Sequence, residues 1–361
     1  MATRERWIFS SMKKDVDAIV LMNAVEPNLD CSFFYATGIP NGLFEGCLAV
    51  IRPSGLEVLT SELEALSAQE AGVKTRVFGN GDERMRLMKR RLSRFKRIGI
   101  NSMELTLANH RLLKKACGSA KLVDISKDLF DARMIKQPDE IKRISKACRI
   151  ASEVCRSIPD FVSEGMLETE AAAEINYRMM RLGAAGPAFT TTAAFGTKSA
   201  EPHYTPSKRK LRKGNFALFD FGASFERYVS DVTRTFVCGA PSRRQKEMHG
   251  VVLRAQEEAL DMIEDGVHGE EVDDAARNVI DGSKFKGCFI HSTGHGLGIS
   301  VHDPGSISSA RDMVLREGMV LTVEPGAYIT GFGGVRIEDD VLVKRNGYKV
   351  LTACPKDLRR L

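Results

Sequence analysis

Four acidic residues lie in or at the end of runs that otherwise have the composition of buried β-strands. Asp220 lies in FALFDFG and Asp231 in YVSDVTRTFV, while Glu324 ends MVLTVE and Glu338 lies in GVRIEDDVLV. An ionised carboxylate is costly to bury unless a cation or a set of hydrogen-bond donors compensates its charge. The fold must therefore bring compensating charge to these four positions.

The first two acids are predicted to face each other. If residues 217–237 form a hairpin, Asp220 and Asp231 become cross-strand neighbours. Two facing carboxylates repel each other unless a cation or a shared proton lies between them. An ion pair of Asp231 with Arg234 or Arg227 would explain these two acids equally well, so the pair alone does not decide between the two interpretations.

Histidines are scarce in the chain and concentrate in one segment. Of the seven, three lie in HSTGHGLGISVH, residues 291–302, and glycines flank His295. Those glycines leave room for the close approach of a ligand. Four carboxylates and one imidazole form an oxygen-rich ligand set whose charge balances two divalent cations, which is the composition of a two-metal hydrolytic site. Mn, Co or Fe suits these ligands at least as well as Zn.

The chain is long enough for two domains, and its pattern changes near residue 130. Its 361 residues exceed the usual size of one domain. Residues 1–129 alternate short β-rich runs with helical ones, which predicts an α/β domain with a mainly parallel or mixed sheet. Residues 130–361 begin with a long helix opened by Pro138, followed by further helices and by strands predicted at 217–221, 228–237, 320–324 and 335–342.

Composition argues against membrane and nucleic-acid partners. No apolar run approaches the roughly 20 residues that cross a bilayer, and the N-terminus does not resemble a signal peptide, so a cytoplasmic protein is expected. The net charge of +6 is mild, and eight scattered cysteines predict reduced thiols. The one dense basic stretch, residues 84–97, lies largely in a helix predicted over residues 82–93, which is amphipathic with a solvated cationic face.

These motifs together resemble the creatinase/aminopeptidase superfamily, the pita-bread-fold metallopeptidases of family M24. The resemblance is carried by HSTGHGLGISVHD, FDFG, SDVTRT, VEPG and VRIED, and it is greatest to the proline-specific members, Xaa-Pro dipeptidase (prolidase) and Xaa-Pro aminopeptidase. It implies a creatinase-like α/β N-terminal domain, a pita-bread (α+β) catalytic domain, hydrolysis of the Xaa-Pro bond in dipeptides or short peptides, and a homodimer.

The resemblance also implies a set of metal ligands for two divalent ions, drawn from Mn, Co, Fe or Zn. Asp220 would bind one ion, Asp231 and Glu338 would bridge the two, and His295 and Glu324 would hold the other. The implied mechanism is attack by a metal-bridging hydroxide on the peptide carbonyl, with no covalent enzyme intermediate.

Further roles follow from the same resemblance. Glu324 would act as general base or proton shuttle, and His203, in EPHYTP, would contact substrate near the scissile bond. His302 would stabilise the tetrahedral intermediate or transfer protons. His291 would line the substrate site or support the ligands from behind.

Three more residues are candidates for substrate binding. Arg336 shares a strand face with Glu338 and would either hold a ligand carboxylate or contact substrate. Arg311 is the only arginine in the loop DPGSISSARD, where some dipeptidases of the family bind the product-side carboxylate. Tyr204 would line the proline pocket or serve as packing.

Three alternatives remain at this point. A methionine aminopeptidase would use the same five ligands but generally lacks a domain like residues 1–129. A creatinase-type hydrolase uses the fold without metals, although all five ligand types are present here. An inactive pita-bread module would bind peptides, histones or RNA without cutting them.

Overall fold

The change of pattern near residue 130 corresponds to a division of the chain into two units between Arg133 and Met134. The structure, a computed structural model, describes residues 3–310 and 312–361. A helix, Ser126–Met134, runs through the boundary expected at 129/130. Ala132 and Arg133 near its end are buried.

The first unit contains six helices and six strands within its described residues. The helices are α1 (Arg4–Ser10), α2 (Cys31–Thr37), α3 (Ala65–Glu70), α4 (Gly81–Leu92), α5 (Leu107–Cys117) and α6 (Ser126–Met134), with a 3-10 turn at Glu62–Glu64. The strands are β1 (Ala18–Met22), β2 (Leu48–Arg52), β3 (Gly55–Ser61), β4 (Thr75–Phe78), β5 (Arg97–Ile100) and β6 (Lys121–Asp124).

Those six strands form one mixed sheet in the order β4-β3-β2-β1-β5-β6. Strand β2 is antiparallel to β1 and β3, and the remaining pairs are parallel. The sheet packs through Val20, Leu59 and Ile98 against Met88 of α4 and Leu113 of α5. This is the α/β architecture with a mixed sheet that the sequence predicts.

The basic stretch of residues 84–97 covers most of a helix and the start of a strand. The helix predicted over residues 82–93 is α4, which runs from Gly81 to Leu92. Strand β5 must begin at Arg97 because Ile98 pairs with Ala18 of β1, so the chain has to leave the helix before that point. The cationic stretch is therefore a helix followed by a turn.

The second unit has four helices and thirteen strands within its described residues. The helices are α7 (Pro138–Phe161), α8 (Glu168–Arg181), α9 (Arg243–Asp261) and α10 (Gly269–Asp281), with a 3-10 helix at Gly196–Ala200. The strands are β7 (Gly186–Pro187), β8 (Thr192–Phe195), β9 (Phe216–Phe221), β10 (Ala223–Phe225), β11 (Tyr228–Val229), β12 (Val232–Val237), β13 (Gly294–Gly296), β14 (Asp303–Ile307), β15 (Val320–Val323), β16 (Gly326–Ile329), β17 (Gly333–Arg336), β18 (Asp339–Val343) and β19 (Tyr348–Val350).

The strand pairs of this unit are all antiparallel among the described residues, and the helices pack on them in two groups. The main sheets are β12-β9-β8 and β14-β13-β15-β18-β19, with smaller sheets β11-β10-β7 and β16-β17. Apolar residues of α9 and α10 share a core with β15 and β18, while those of α7 and α8 share a core with β8, β9 and β12. The two main sheets are therefore each backed by a helix pair.

The hairpin of residues 216–237 has a different register from the one expected. Asp220 pairs with Thr233, not with Asp231. The turn is formed by Glu226 and Arg227, both with positive φ, and its centre lies one residue later than expected, which shifts the partner by two. Side chains alternate between the two faces of a strand with a period of two. A shift of two residues therefore leaves Asp231 on the same face of the hairpin as Thr233, the partner of Asp220.

None of the helices in the described part of the chain combines the length and the apolar character needed to cross a membrane.

Candidate active site

Three of the four acids lie just outside the ends of strands rather than within them. Only Asp220 is inside a strand, β9. Asp231 directly precedes β12, Glu324 directly follows β15 and Glu338 directly precedes β18. The expectation that each carboxylate is embedded in a strand is therefore wrong for three of them. At these positions the backbone makes hydrogen bonds outside the regular strand pairing. The Glu338 amide, for example, donates to the Thr233 carbonyl at 3.1 Å.

One imidazole and three of these carboxylates converge in the second unit. Ligand atoms of Asp231, His295 and Glu338 all lie within 4.8 Å of one another. His295 Nε2 is 3.4 Å from Glu324 Oε1 and 3.8 Å from Asp231 Oδ2. Residues more than 100 positions apart in the chain thus form one cluster. From the sequence, such a cluster could be predicted only from the types of residue involved.

The fourth carboxylate joins the cluster through an arginine. Arg336 Nη2 is 2.7 Å from Asp220 Oδ2, and Arg336 Nε donates to Thr233 Oγ1 at 3.0 Å. The Thr233 hydroxyl in turn donates to Glu338 Oε2 at 2.5 Å. Arg336 and Thr233 therefore fix the relative positions of Asp220 and Glu338.

Burial makes this cluster electrostatically unfavourable on its own. It raises the pKa of Asp231 and of Glu338 well above the usual carboxyl range, and the neighbouring carboxylates raise both further. Burial also raises the pKa of Glu324 to about 7, although Arg336 opposes the shift. The protein alone does not supply enough positive charge for these acids.

The donor set fits divalent cations. Asp220 Oδ1 and Asp231 Oδ1 are buried without a hydrogen-bond donor in the part of the chain that the structure describes. His295 Nδ1 lies 3.1 Å from the Gly296 carbonyl, and because a carbonyl only accepts, Nδ1 carries the proton and Nε2 presents its lone pair to the carboxylates. Unpaired carboxylate oxygens beside a free imidazole nitrogen are ligands for metal ions.

The other histidines surround this cluster. The ring centroid of His302 lies 4.3 Å from that of His295, and burial lowers the pKa of His302. His203 is exposed and close enough to lower the pKa of both His302 and His291.

His291 is held in a hydrogen-bonded chain. Its Nδ1 donates to the Ser292 carbonyl at 2.8 Å, so its Nε2 accepts from the Tyr328 hydroxyl, also at 2.8 Å. Tyr328 itself accepts from Arg336 Nη1 at 2.9 Å. Burial, with Arg336 nearby, lowers the pKa of His291 to about 4, which keeps the ring neutral. His291 thus acts on the cluster through Tyr328 and Arg336.

The remaining predicted residues are less directly placed. Tyr204 donates its hydroxyl to Glu168 Oε2 at 2.8 Å, which ties it to α8. Arg336 is buried, and all three of its nitrogens have partners, one of which is the Asp220 carboxylate. Arg311 lies outside the described residues.

Sequence reasoning missed one buried acid that supports the cluster. Asp340 is fully buried, and its Oδ2 accepts from the Asp231 amide at 2.8 Å and lies 3.3 Å from Cys148 Sγ. Arg234 binds Asp339 at 2.7 Å, so the ion pair considered between Asp231 and Arg234 is wrong. The signal for Asp340 was a third consecutive acid, after Glu338 and Asp339, in an apolar run.

Comparison with known proteins agrees with this geometry. Residues 142–345 match Metallopeptidase family M24, and residues 11–135 match the Creatinase/Prolidase N-terminal domain. The chain belongs to metallopeptidase family M24. It therefore has a creatinase-type N-terminal domain and a pita-bread catalytic domain, and it is a hydrolase that acts on peptides with divalent metal ions as cofactors.

Relatives cover almost the whole chain. A Xaa-Pro dipeptidase of Pyrococcus horikoshii is 36% identical over 347 residues, which are 96% of this chain and 95% of that protein. The solved structure of an X-Pro aminopeptidase from Thermotoga maritima has a TM-score of 0.90 at 33% identity and covers 96% of this chain and 98% of its own. The prolidase structure from Pyrococcus horikoshii has a TM-score of 0.89 at 34% identity, covering 99% of both chains.

Proposed function

We propose that the protein is a dinuclear-metal exopeptidase that hydrolyses the Xaa-Pro bond of dipeptides or short peptides. The observation that carries this proposal is the buried cluster of one imidazole and four carboxylates, two of which have oxygens without donors in the described structure. The relatives named as Xaa-Pro dipeptidase and X-Pro aminopeptidase support the specificity for proline. An intact ligand set argues against an inactive binding module.

Five residues would hold the two cations, which are Mn, Co, Fe or Zn. Asp220 would bind one ion, His295 and Glu324 the other, and Asp231 and Glu338 would be shared. When bound, the cations supply a nucleophilic water at neutral pH and polarise the scissile carbonyl. Their four charges also offset the repulsion among the four buried carboxylates.

The side chains around the cluster would transfer protons and stabilise the charge that develops on the substrate. Glu324 would take a proton at its carboxylate and return it to the leaving nitrogen. His302 and His203 would donate hydrogen bonds to the carbonyl oxygen as its charge develops. His291 would line the substrate cleft from its contact with Tyr328. Arg336 would orient Asp220 rather than bind substrate.

The remaining predicted roles are proposals of the same kind. Tyr204 would border the proline pocket with its ring while its hydroxyl stays on Glu168, and Arg311 would bind a product carboxylate. A homodimer is supported by Leu63 and Leu66 of the first unit, which are 92% and 66% exposed and offer apolar surface to a second copy. A cytoplasmic location is supported by eight free cysteines.

The test compares two substrates. The metal-free protein, with and without added Mn or Co, is given Ala-Pro and, separately, a tripeptide with proline second, and Asp231→Asn is assayed beside it. We expect metal-dependent hydrolysis that falls at least about a hundredfold in the variant. The substrate that is cut separates dipeptidase from aminopeptidase. No cleavage of either substrate by the metal-loaded protein would refute the proposal.

A further inference from the structure

The carboxylate of Glu168 binds both ends of the loop that carries His203, beside backbone hydrogen bonds from the Glu168 and Thr169 amides to the Arg209 and Ser207 carbonyls. Glu168 is the first residue of α8 and its side chain is fully buried. Its Oε1 accepts from the Phe195 amide at 2.8 Å. Its Oε2 accepts from the Ser207 amide at 3.0 Å, the Ser207 hydroxyl at 2.7 Å and the Tyr204 hydroxyl at 2.8 Å. The two oxygens thus bind both ends of the segment Phe195–Ser207.

The beginning of this loop is also anchored on the active-site strands. The Gly334 amide of β17 donates to Ser199 Oγ at 2.8 Å. A side chain at Gly334 would lie 2.2 Å from the Ser199 carbonyl oxygen, so the loop and the strand pack backbone to backbone. Arg336, which holds Asp220, lies two residues further along β17.

The second half of the loop is tied to the strand that pairs with Asp220. Thr192 of β8 is the ladder partner of Asp220, and its hydroxyl donates to the Tyr204 carbonyl at 3.0 Å. The Tyr204 carbonyl is therefore held by Thr192, which pairs with Asp220, and the Tyr204 hydroxyl is held by Glu168. His203, its neighbour in the chain, is exposed but extends from a backbone that is held on both sides.

We propose that Glu168 is a positioning residue for catalysis: its carboxylate closes the Phe195–Ser207 loop and so holds His203 at the substrate side of the metal cluster. Glu168 does not touch substrate or metal in this account and acts through His203. This inference rests on the role proposed above for His203. A catalytic group that moves by about 1 Å costs on the order of a hundredfold in rate, so loosening the loop would lower the rate of the chemical step.

The main variant is Glu168→Gln. It keeps the shape of the side chain but replaces one acceptor oxygen with an amide group, which cannot accept from the loop amides. Tyr204→Phe is the milder second variant, because it removes one donor and leaves the buried carboxylate. The matched control is Glu170→Gln, two residues along α8, where an exposed glutamate accepts from the Leu167 amide and from no other group among the described residues.

The experiment combines hydrogen exchange with a kinetic double-mutant cycle on the metal-loaded protein, with equal metal content as a precondition. We expect faster exchange in peptides from residues 195–207 and a kcat for Ala-Pro, or for the tripeptide if that is the substrate cut, lowered about ten- to a hundredfold in Glu168→Gln. KM should change far less, and Glu170→Gln should match the parent. In a His203→Ala background, Glu168→Gln should cost almost nothing further, because the group it positions is gone.

Two results would overturn the proposal. Unchanged exchange of residues 195–207 in both Glu168→Gln and Tyr204→Phe would show that the carboxylate does not hold the loop. An equal loss of kcat from Glu168→Gln with and without His203 would show a general structural effect. If His203→Ala alone leaves hydrolysis at the parent rate, the role proposed for His203 fails, whereas faster exchange in Glu168→Gln would still support the loop closure.

Discussion

Single residues decide how the buried charges of the site are compensated. Arg336 donates to Asp220, Thr233 and Tyr328 with three different nitrogens. A planar guanidinium can serve three acceptors in fixed directions, whereas a lysine ammonium is a point charge on a flexible stem. The arginine at this position therefore positions one candidate ligand carboxylate and, through Thr233, a second one.

We predict that Arg336→Lys keeps the fold but weakens binding of Mn by about ten- to a hundredfold, the range found for residues that orient metal ligands. Titration calorimetry of the metal-free variant measures this. The control is Arg345→Lys, at an exposed arginine 3.9 Å from Glu317, which should bind metal like the parent. Unchanged affinity in Arg336→Lys would show that the guanidinium does not position the ligands.

At this scale the sequence predicted candidate ligands but not the residues that support them. An acid in an apolar run, or a histidine between glycines, is visible in the chain itself. The contacts made by Thr233, Tyr328 and Asp340 are not, because each joins side chains from different strands and depends on register. Tyr204 shows the same limit: its residue type suggested a pocket wall, and its hydroxyl is bound to a buried glutamate of α8.

Helices and strands show how much of the structure the sequence pattern alone predicts. The helical periodicity after Pro138 predicted a long helix, and α7 runs from Pro138 to Phe161 with Glu140 accepting from the Gln137 amide at 2.9 Å. The hairpin of residues 216–237 was predicted with its register displaced by two. Register depends on the turn, and the positive φ of Glu226 and Arg227 is not indicated by either residue type.

A helix cap in the first unit gives a pH prediction independent of the metals. Asp30 caps α2 by accepting from the Ser32 amide at 2.8 Å, and burial, followed by the Glu104 charge, raises its pKa to about 7. The folded protein therefore binds this proton more tightly than the unfolded chain. The resulting stability is fully present below the ordinary carboxyl pKa of 3.8 and is lost as the pH rises through about 7.

We predict that Asp30→Asn gains stability relative to the parent as the pH rises from about 4 to 8, by roughly 3 kcal/mol. Trp7, the one tryptophan, lies in the same unit, so urea unfolding followed by its fluorescence reports this unit. Asp82→Asn, at an exposed acid of α4, is the control and should show no such trend. Parallel stability profiles for the parent and Asp30→Asn would contradict the prediction.

For the whole molecule, the division into two units was visible in the sequence because the alternation of strand and helix stops near residue 130. The chain divides between Arg133 and Met134, at the end of α6, and the exact extent of each domain stays a prediction. All five candidate ligands fall in the second unit, on or beside strands β9, β12, β13, β15 and β18. The sequence could assign them to one domain, but only the pairing of these strands brings them to one place.

The central claim is that this cluster binds two divalent cations and hydrolyses peptides with them. The most direct measurement is calorimetric titration of the metal-free protein with Mn, with peptide hydrolysis followed across the same titration. We predict saturation near two ions per chain, hydrolysis that rises with occupancy, and loss of both in Asp231→Asn. A parent protein that takes up no Mn or Co, or an Asp231→Asn variant that binds and cuts like the parent, would contradict the account.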